Sequence, residues 1–265
     1  MTNRQRIRLV DYKRKKYVKS ATKLFRKVLN YYSADLMQRI EGMTDLALIN
    51  QEAAKPIDSA KIQQAMAKLY VSVGSDFAKW EIKQINEGAK AARKPIQVDF
   101  WEAYFESYAE TEILSKVVWI TGTTEEIFRR TVDAITRQGA LDGVGVWEMM
   151  NQLMDQLNFT NQYRAERIAR TETIRASNAG SFEGAKNSGV RVKKEWIHSG
   201  SMNERPEHAD MDGQPPIEMD QPFHVMGEDI MIPGEGSAEN SINCGCCVGY
   251  VPETNEEMYA RWDKL

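Results

Sequence analysis

The chain has 265 residues, of which 42% are hydrophobic and 28% are charged. This length and composition suit one large or two modest globular domains and exclude wholesale disorder. No run approaches the roughly 18 apolar residues of a membrane span, and the charged N-terminus lacks the apolar core of a secretory signal. We therefore expect a protein that is made and folded in a cytoplasm.

Charge is distributed unevenly along the chain. Residues 1–30 hold eleven Lys or Arg and one acid, whereas residues 195–265 hold fifteen acids and three bases. One interpretation is that the two ends meet different partners, and the other is that both are simply solvated surfaces. In the first case the basic end is expected to bind DNA phosphates or an acidic protein through Arg4, Arg6, Arg8, Lys13, Arg14, Lys15 and Lys16.

Helical periodicity dominates the first two-thirds of the chain. From residue 12 to residue 42, apolar residues recur at steps of three and four: Val18, Ala21, Phe25, Val28, Tyr32, Leu36 and Ile40. This stripe packs either on the chain's own helices or on another copy or partner, as in a helix–helix seam. Further helices are predicted over residues 59–86, 100–120, 123–139, 146–157 and 161–188. Residues 43–58 and 87–97 are predicted to be connections.

The start of the 123–139 helix is predicted from a capping box formed by Thr123 and Glu126. After Gly189 the pattern changes to short apolar runs separated by Pro and Gly. We expect a strand near Val190–Trp196, a hairpin of residues 223–225 and 230–232, and a last strand at 246–251. The fold class is therefore α+β, with a mainly α-helical N-terminal two-thirds followed by a small, loop-rich β unit.

The three cysteines lie close together near the C-terminus, at Cys244, Cys246 and Cys247. An odd, clustered set is a poor disulfide framework. His208, Cys244 and Cys246 offer the ligand types of a structural zinc site. The alternative is that the thiols are only packed in the core.

A polar helix precedes this unit. Arg167, Arg170 and Glu172 lie on a helix that also carries Ile168 and Ile174. These charges either form ion pairs that hold the β unit on the helix or belong to a solvated face.

An ordered series of short motifs resembles the phage Mu protein F-like family of head morphogenesis proteins. The motifs are Arg167-Ile-Ala-Arg-Thr-Glu-Thr, Lys194-Glu-Trp196, Arg205-Pro-Glu-His208, Met211-Asp-Gly213, Gln221-Pro-Phe223 and Ile242-Asn-Cys244-Gly-Cys246. The resemblance covers residues 120–252. It leaves 1–119 as a helical region for portal, scaffold or DNA contact and 253–265 as a tail. Its structural motif residues are Arg167, Arg170, Thr171, Glu172, Trp196, Arg205, Asp212, Gly213 and Asn243.

The resemblance implies a minor capsid protein of a tailed bacteriophage. Such a protein is present in few copies in the virion, associates with the portal, scaffold or coat protein, and acts in head assembly and in DNA packaging or ejection. Self-association is a further expectation. Because the usual catalytic and nucleotide-binding motifs are missing, we expect no enzyme.

Two rival functions stay open at the level of sequence. The first is a metal-dependent enzyme that uses His208, Asp212, Cys244 and Glu172 for hydrolysis or nucleotidyl chemistry. The second is a non-specific DNA-binding protein inside the head.

Overall fold

Long helices form most of the chain and precede a small β unit. The computed structural model describes residues 1–88, 98–200 and 205–254. Its helices before the β unit are α1 (Asn3–Ile40), α2 (Leu46–Ala53), α3 (Ala60–Gly88), α4 (Val98–Thr111), α5 (Leu114–Asp142) and α6 (Val146–Lys186). The elements after them are β1 (Val192–Ile197), α7 (Pro206–Ala209), β2 (Ile217–Glu218), β3 (Phe223–Val225), β4 (Glu228–Ile230), α8 (Ala238–Ser241) and β5 (Cys247–Pro252). The α+β prediction is confirmed.

Helix α1 follows the predicted apolar stripe but begins nine residues earlier, at Asn3. Every residue of the predicted stripe except Val18 is buried. Gly42, in a left-handed conformation with φ of +75°, lies just beyond its C-terminal end. The predicted connection 43–58 contains a short helix, α2, because the Asp45 carboxylate accepts hydrogen bonds from the backbone N–H groups of Ala47 and Leu48.

Several predicted helix ends are wrong. The hydroxyl of Thr123 donates to the carbonyls of Trp119 and Ile120 inside α5, so Thr123 is no cap. Helices predicted over 146–157 and 161–188 are one continuous helix, α6. In both places no Pro interrupts the backbone ladder, which continues through Gly122 in α5, and the local capping signal does not overcome it. Conversely, the helix predicted over 100–120 breaks between Thr111 and Leu114.

The chain divides into two compact units. The first comprises the described residues of Met1–Val18, Leu69–Ser107 and Arg170–Leu265, and the second comprises Lys19–Lys68 and Tyr108–Ala169. This division differs from the expected boundary at residues 119 and 120, which lies within α5. The predicted linker at 87–97 and the predicted tail lie largely outside the described residues.

Within the first unit, α3 and α6 approach closely at small residues. A Cβ added to Gly180 would lie 2.3 Å from the carbonyl oxygen of Gly74, and one added to Gly184 would lie 2.5 Å from that of Ala78. Only glycine fits at these two positions. The close approach buries the last part of α6, from which the candidate site is built.

The β unit contains two small antiparallel sheets. In the first sheet β1 lies between β2 and β5, and Trp196 pairs with Val248. In the second, β3 and β4 form a hairpin with Phe223 opposite Ile230, but its second strand is Glu228–Ile230 rather than the expected 230–232. The two residues of its turn, Met226 and Gly227, both have positive φ angles, as a type I′ turn requires.

Candidate functional site

The loop before β5 and the one-turn helix α7 meet in the first unit. Arg205 precedes Pro206, which occupies the first turn of α7. The Arg205 guanidinium donates to the carbonyl oxygen of Ile242 at 2.8 Å. This bond fixes α7, and with it His208, against the loop that carries the cysteines.

The structure brings His208, Cys244 and Cys246 together. Their ligand atoms all lie within 4.8 Å of one another, and all three side chains are buried. The His208 Nδ1 atom lies 3.5 Å from the Cys244 sulfur and 3.8 Å from the Cys246 sulfur. The residues thus form a compact triangle of one imidazole and two thiols.

Asn240 fixes the orientation of the imidazole. Its amide nitrogen donates to the carbonyl of Val225 at 3.1 Å, so its carbonyl oxygen faces His208 Nε2 at 2.7 Å. Because that oxygen can only accept, Nε2 carries the proton. In the neutral imidazole, the lone pair of Nδ1 therefore points toward the two sulfurs.

Aromatic side chains close the cluster from solvent. The Trp196 ring packs edge-to-face on His208 at 5.2 Å and on Phe223 at 5.4 Å between ring centroids.

A hydrogen bond between the two thiols lowers the pKa of Cys244, helped by the nearby imidazole, and raises the pKa of Cys246. The pair is consequently disposed to lose its first proton at Cys244.

The buried end of α6 supports this loop region. Every residue from Thr171 to Ser181 is buried. Glu172 pairs with Arg175 at 2.5 Å and accepts a hydrogen bond from the Tyr70 hydroxyl at 3.0 Å. Arg175 in turn donates to the carbonyl of Gly234 at 2.6 Å. The ion pair expected to hold the β unit therefore exists, but its cation is Arg175.

Arg167 and Arg170 take no part in that ion pair. Both are exposed, since their side chains leave the solvent-facing side of α6. The prediction that they hold the β unit is wrong. Thr171 does contact it, because its hydroxyl oxygen accepts from the backbone N–H of Asn243 at 3.2 Å.

Two further side chains bind the backbone of the cysteine loop. The Asn178 amide donates to the carbonyls of Pro233 at 2.7 Å and Cys246 at 3.1 Å. Arg14 donates to the carbonyls of Gly245 at 2.9 Å and Cys246 at 3.2 Å, and also to Asn178. The backbone between the two thiols is therefore held by α1 and α6.

Two other predicted motif residues shape loops. The Asp212 carboxylate accepts from the backbone N–H of His198 at 3.2 Å. Gly213 has a φ of +77°, in the left-handed region. Both roles are conformational, and neither residue belongs to the thiol–imidazole triangle.

The predicted basic arm is only partly exposed. Arg6 is buried against Glu81 at 2.5 Å, Arg14 is buried under the cysteine loop, and Lys13 pairs with Asp76. A phosphate-binding role is wrong for Arg6 and Arg14, because their guanidinium groups already serve internal partners. The remaining predicted cations are exposed: Arg4, Arg8, Lys15 and Lys16.

Sequence reasoning missed the buried polar residues that organise the site. Arg14 was interpreted as part of a surface arm, whereas Ser177, Asn178 and Asn240 were given no structural role. The available signal was the pattern of α6 itself, where Ser177 and Asn178 follow Ile174 within a run that has no solvated face. Polar side chains on a helix buried on all sides must bind something.

Comparisons with known proteins give a family and one distant relative. Residues 130–249 match the family model described as "Phage Mu protein F like protein". An NAD(+)–arginine ADP-ribosyltransferase, EFV, of Enterococcus faecalis is 32% identical over 87 residues, which is 31% of this chain and 18% of that protein. The chain thus spans less than one fifth of this relative. No solved structure matches the chain.

None of the helices in the described part of the chain has the length and apolar content needed to cross a bilayer.

The family match supports a role in phage head morphogenesis. The resemblance seen in the motifs is confirmed by this match, which covers residues 130–249 of the chain.

Proposed function

We propose that this chain is a minor head protein of a tailed bacteriophage, that it associates with the portal, and that it acts in head assembly and in the handling of packaged DNA. The observation that carries the proposal is the family match over residues 130–249. The protein would reside in the virion after assembly in the host cytoplasm.

Exposed apolar side chains in the second unit support a protein-binding role. Leu141 and Trp147 flank the turn between α5 and α6, and each is 77% exposed. Phe159 and Tyr163, also exposed, pack edge-to-face with ring centroids 4.9 Å apart. Large aromatic and aliphatic groups left in solvent are typical anchors of protein interfaces. We assign the Leu141–Trp147 turn to contact with the portal or another head protein.

A non-enzymatic role fits the residues that would have carried catalysis. Glu172 is occupied by Arg175 and Tyr70, and Asp212 binds the backbone of His198. Cys244 and His208 are buried behind Trp196 and Phe223. A substrate would have no direct route to these groups. The transferase activity in the name of the Enterococcus relative concerns a protein of which the likeness covers only 18%, and we do not extend it to this chain.

A second binding function follows from the exposed part of α1. Arg4, Arg8, Lys15 and Lys16 are exposed, and Tyr12 between them is 80% exposed. Cations interleaved with an aromatic ring suit the phosphates and bases of nucleic acid without sequence selectivity. We propose that this basic surface meets packaged DNA.

The portal contact is tested by coexpression with the portal protein of the same phage. A tagged portal should retain the wild-type chain through gel filtration, and Leu141→Ser with Trp147→Ser should weaken retention at least tenfold. Met226→Ser with Val251→Ser is the matched control, since both residues are exposed but lie in the other unit. Absence of a wild-type complex, or equal retention of both double variants, would contradict the assigned contact.

A further inference from the structure

We propose that His208, Cys244 and Cys246 bind one Zn²⁺ ion that has a structural role in the β unit. The three residues come from α7 and from the loop before β5, and His208 and Cys244 are 36 positions apart in sequence. Within the described part of the chain, the ligand atoms of these three residues lie close enough to one another to hold one metal ion.

The distances match a tetrahedral zinc site. Zinc–sulfur bonds of about 2.3 Å and zinc–nitrogen bonds of about 2.0 Å at tetrahedral angles place sulfur and nitrogen about 3.5 Å apart. The observed separations from His208 Nδ1 are 3.5 Å to Cys244 and 3.8 Å to Cys246. An ion therefore fits between the three atoms with only small shifts of the side chains.

The surroundings also suit a metal ligand. The bond from His208 Nε2 to Asn240 leaves Nδ1 unprotonated, which is the arrangement that orients and strengthens imidazole ligands in zinc proteins. Arg14 and Asn178 hold the carbonyl of Cys246 and so fix the loop between the two sulfurs. The ligands are thus held in place before the metal binds.

Charge and burial indicate a structural ion. Two thiolates neutralise Zn²⁺, and binding releases the two thiol protons to solvent, so the buried cluster carries no net charge. The three described ligands leave a fourth position, which a water molecule would fill. Three protein ligands and a water also form the donor set of catalytic zinc sites, but burial of all three ligands closes this position to a substrate.

A metal ion would stabilise the folded β unit. Its strands have two to six residues, and the hydrophobic cluster around Trp196 contains the two cysteines themselves. Small units with short strands gain folding free energy directly from metal binding. Zinc would therefore fasten α7 to the loop that precedes β5.

The experiment measures metal in the full chain purified without chelators. Elemental analysis should give about one zinc per chain. Cobalt substitution should give the visible absorption of a tetrahedral thiolate complex. Removal of the ion by a chelator should lower the melting temperature by at least about 5 °C, and added zinc should restore it.

Variants separate ligation from packing. Cys244→Ser and His208→Gln should lose the zinc, whereas His208→Cys should retain it. Cys247→Ser is the matched control, because Cys247 is buried one residue away but lies outside the triangle. If the ligand variants do not fold, the cobalt spectrum of the wild type decides. Wild-type protein that contains no zinc and gives no cobalt–thiolate absorption, or that contains a Cys244–Cys246 disulfide, would overturn the proposal.

Discussion

The guanidinium of Arg14 donates to the carbonyl oxygen of Cys246, a residue 232 positions later in the chain. The same group binds Ser177 at 2.7 Å and Asn178 at 2.8 Å. One side chain near the N-terminus therefore joins α1, the buried end of α6 and the cysteine loop. Burial lowers the pKa of Arg14, which the nearby thiols and Asp11 partly oppose. A buried cation with such partners should be expensive to replace.

We predict that Arg14→Met destabilises the protein by about 2–4 kcal/mol, because it leaves the carbonyls of Gly245 and Cys246 with fewer donors. Urea unfolding followed by circular dichroism measures the change. Lys15→Met is the control, since Lys15 is exposed on the next position of α1, and it should cost less than about 0.5 kcal/mol. Equal effects of the two substitutions would show that the Arg14 contacts contribute nothing.

The ion pair of Glu172 and Arg175 should behave as a buried pair. Glu172→Gln is expected to cost about 3–5 kcal/mol, because Arg175 would remain charged and buried without its partner. The double variant with Arg175→Met should recover much of that loss. By contrast, Glu126→Gln breaks exposed pairs with Arg129 and Arg130, which solvent screens, and should change the stability little. A Glu172→Gln effect as small as that of Glu126→Gln would refute the assignment.

Periodicity and motif order predicted the α+β class, the course of α1 and the β3–β4 hairpin. These features depend on local spacing, which the sequence displays directly. The convergence of His208 with the cysteines was expected from residue types, but its geometry depends on Asn240 and on contacts between distant segments. The internal role of Arg14 could not be predicted, because a basic run looks the same whether one of its members points outward or into a core. For the same reason the sequence left two interpretations of Arg167 and Arg170 open, and the structure agrees with the solvated face.

Lys194 provides a pH-dependent test of the β unit. Burial lowers the pKa of its ammonium group to about 8, opposed by Glu235 and Asp220. The group donates to the Met231 carbonyl at 2.9 Å and lies over the rings of Phe182 and Phe223.

Above about pH 8 the folded protein loses this proton while the unfolded chain keeps it up to about pH 10.5. The wild type should therefore gain stability relative to Lys194→Met as the pH rises from 7 to about 9.5, by about 1–2 kcal/mol. Thermal melts of both proteins at each pH measure the difference. Lys193→Met, on the other face of β1, should show no such trend, and an absent or reversed trend for Lys194→Met would contradict the burial of its charge.

The basic surface of α1 should bind DNA through its exposed cations alone. We predict that replacing Arg4, Arg8, Lys15 and Lys16 by Gln weakens DNA binding strongly. It should also reduce the slope of log K against log salt by about 3 to 4, as four lost phosphate contacts require. Fluorescence anisotropy with a duplex of random sequence measures both quantities. The equal-charge control replaces the exposed cations Arg129, Arg130, Arg137 and Arg167 by Gln, and an equal loss in that control would remove the proposed role of α1.

We propose that this chain is a component of the phage head, and the protein content of purified particles tests this most directly. Heads from a phage carrying the wild-type gene should contain the chain in a few copies each by quantitative mass spectrometry. Particles made with Leu141→Ser and Trp147→Ser should contain at least tenfold less. Heads that assemble, package DNA and infect normally while containing none of the wild-type chain would contradict the account.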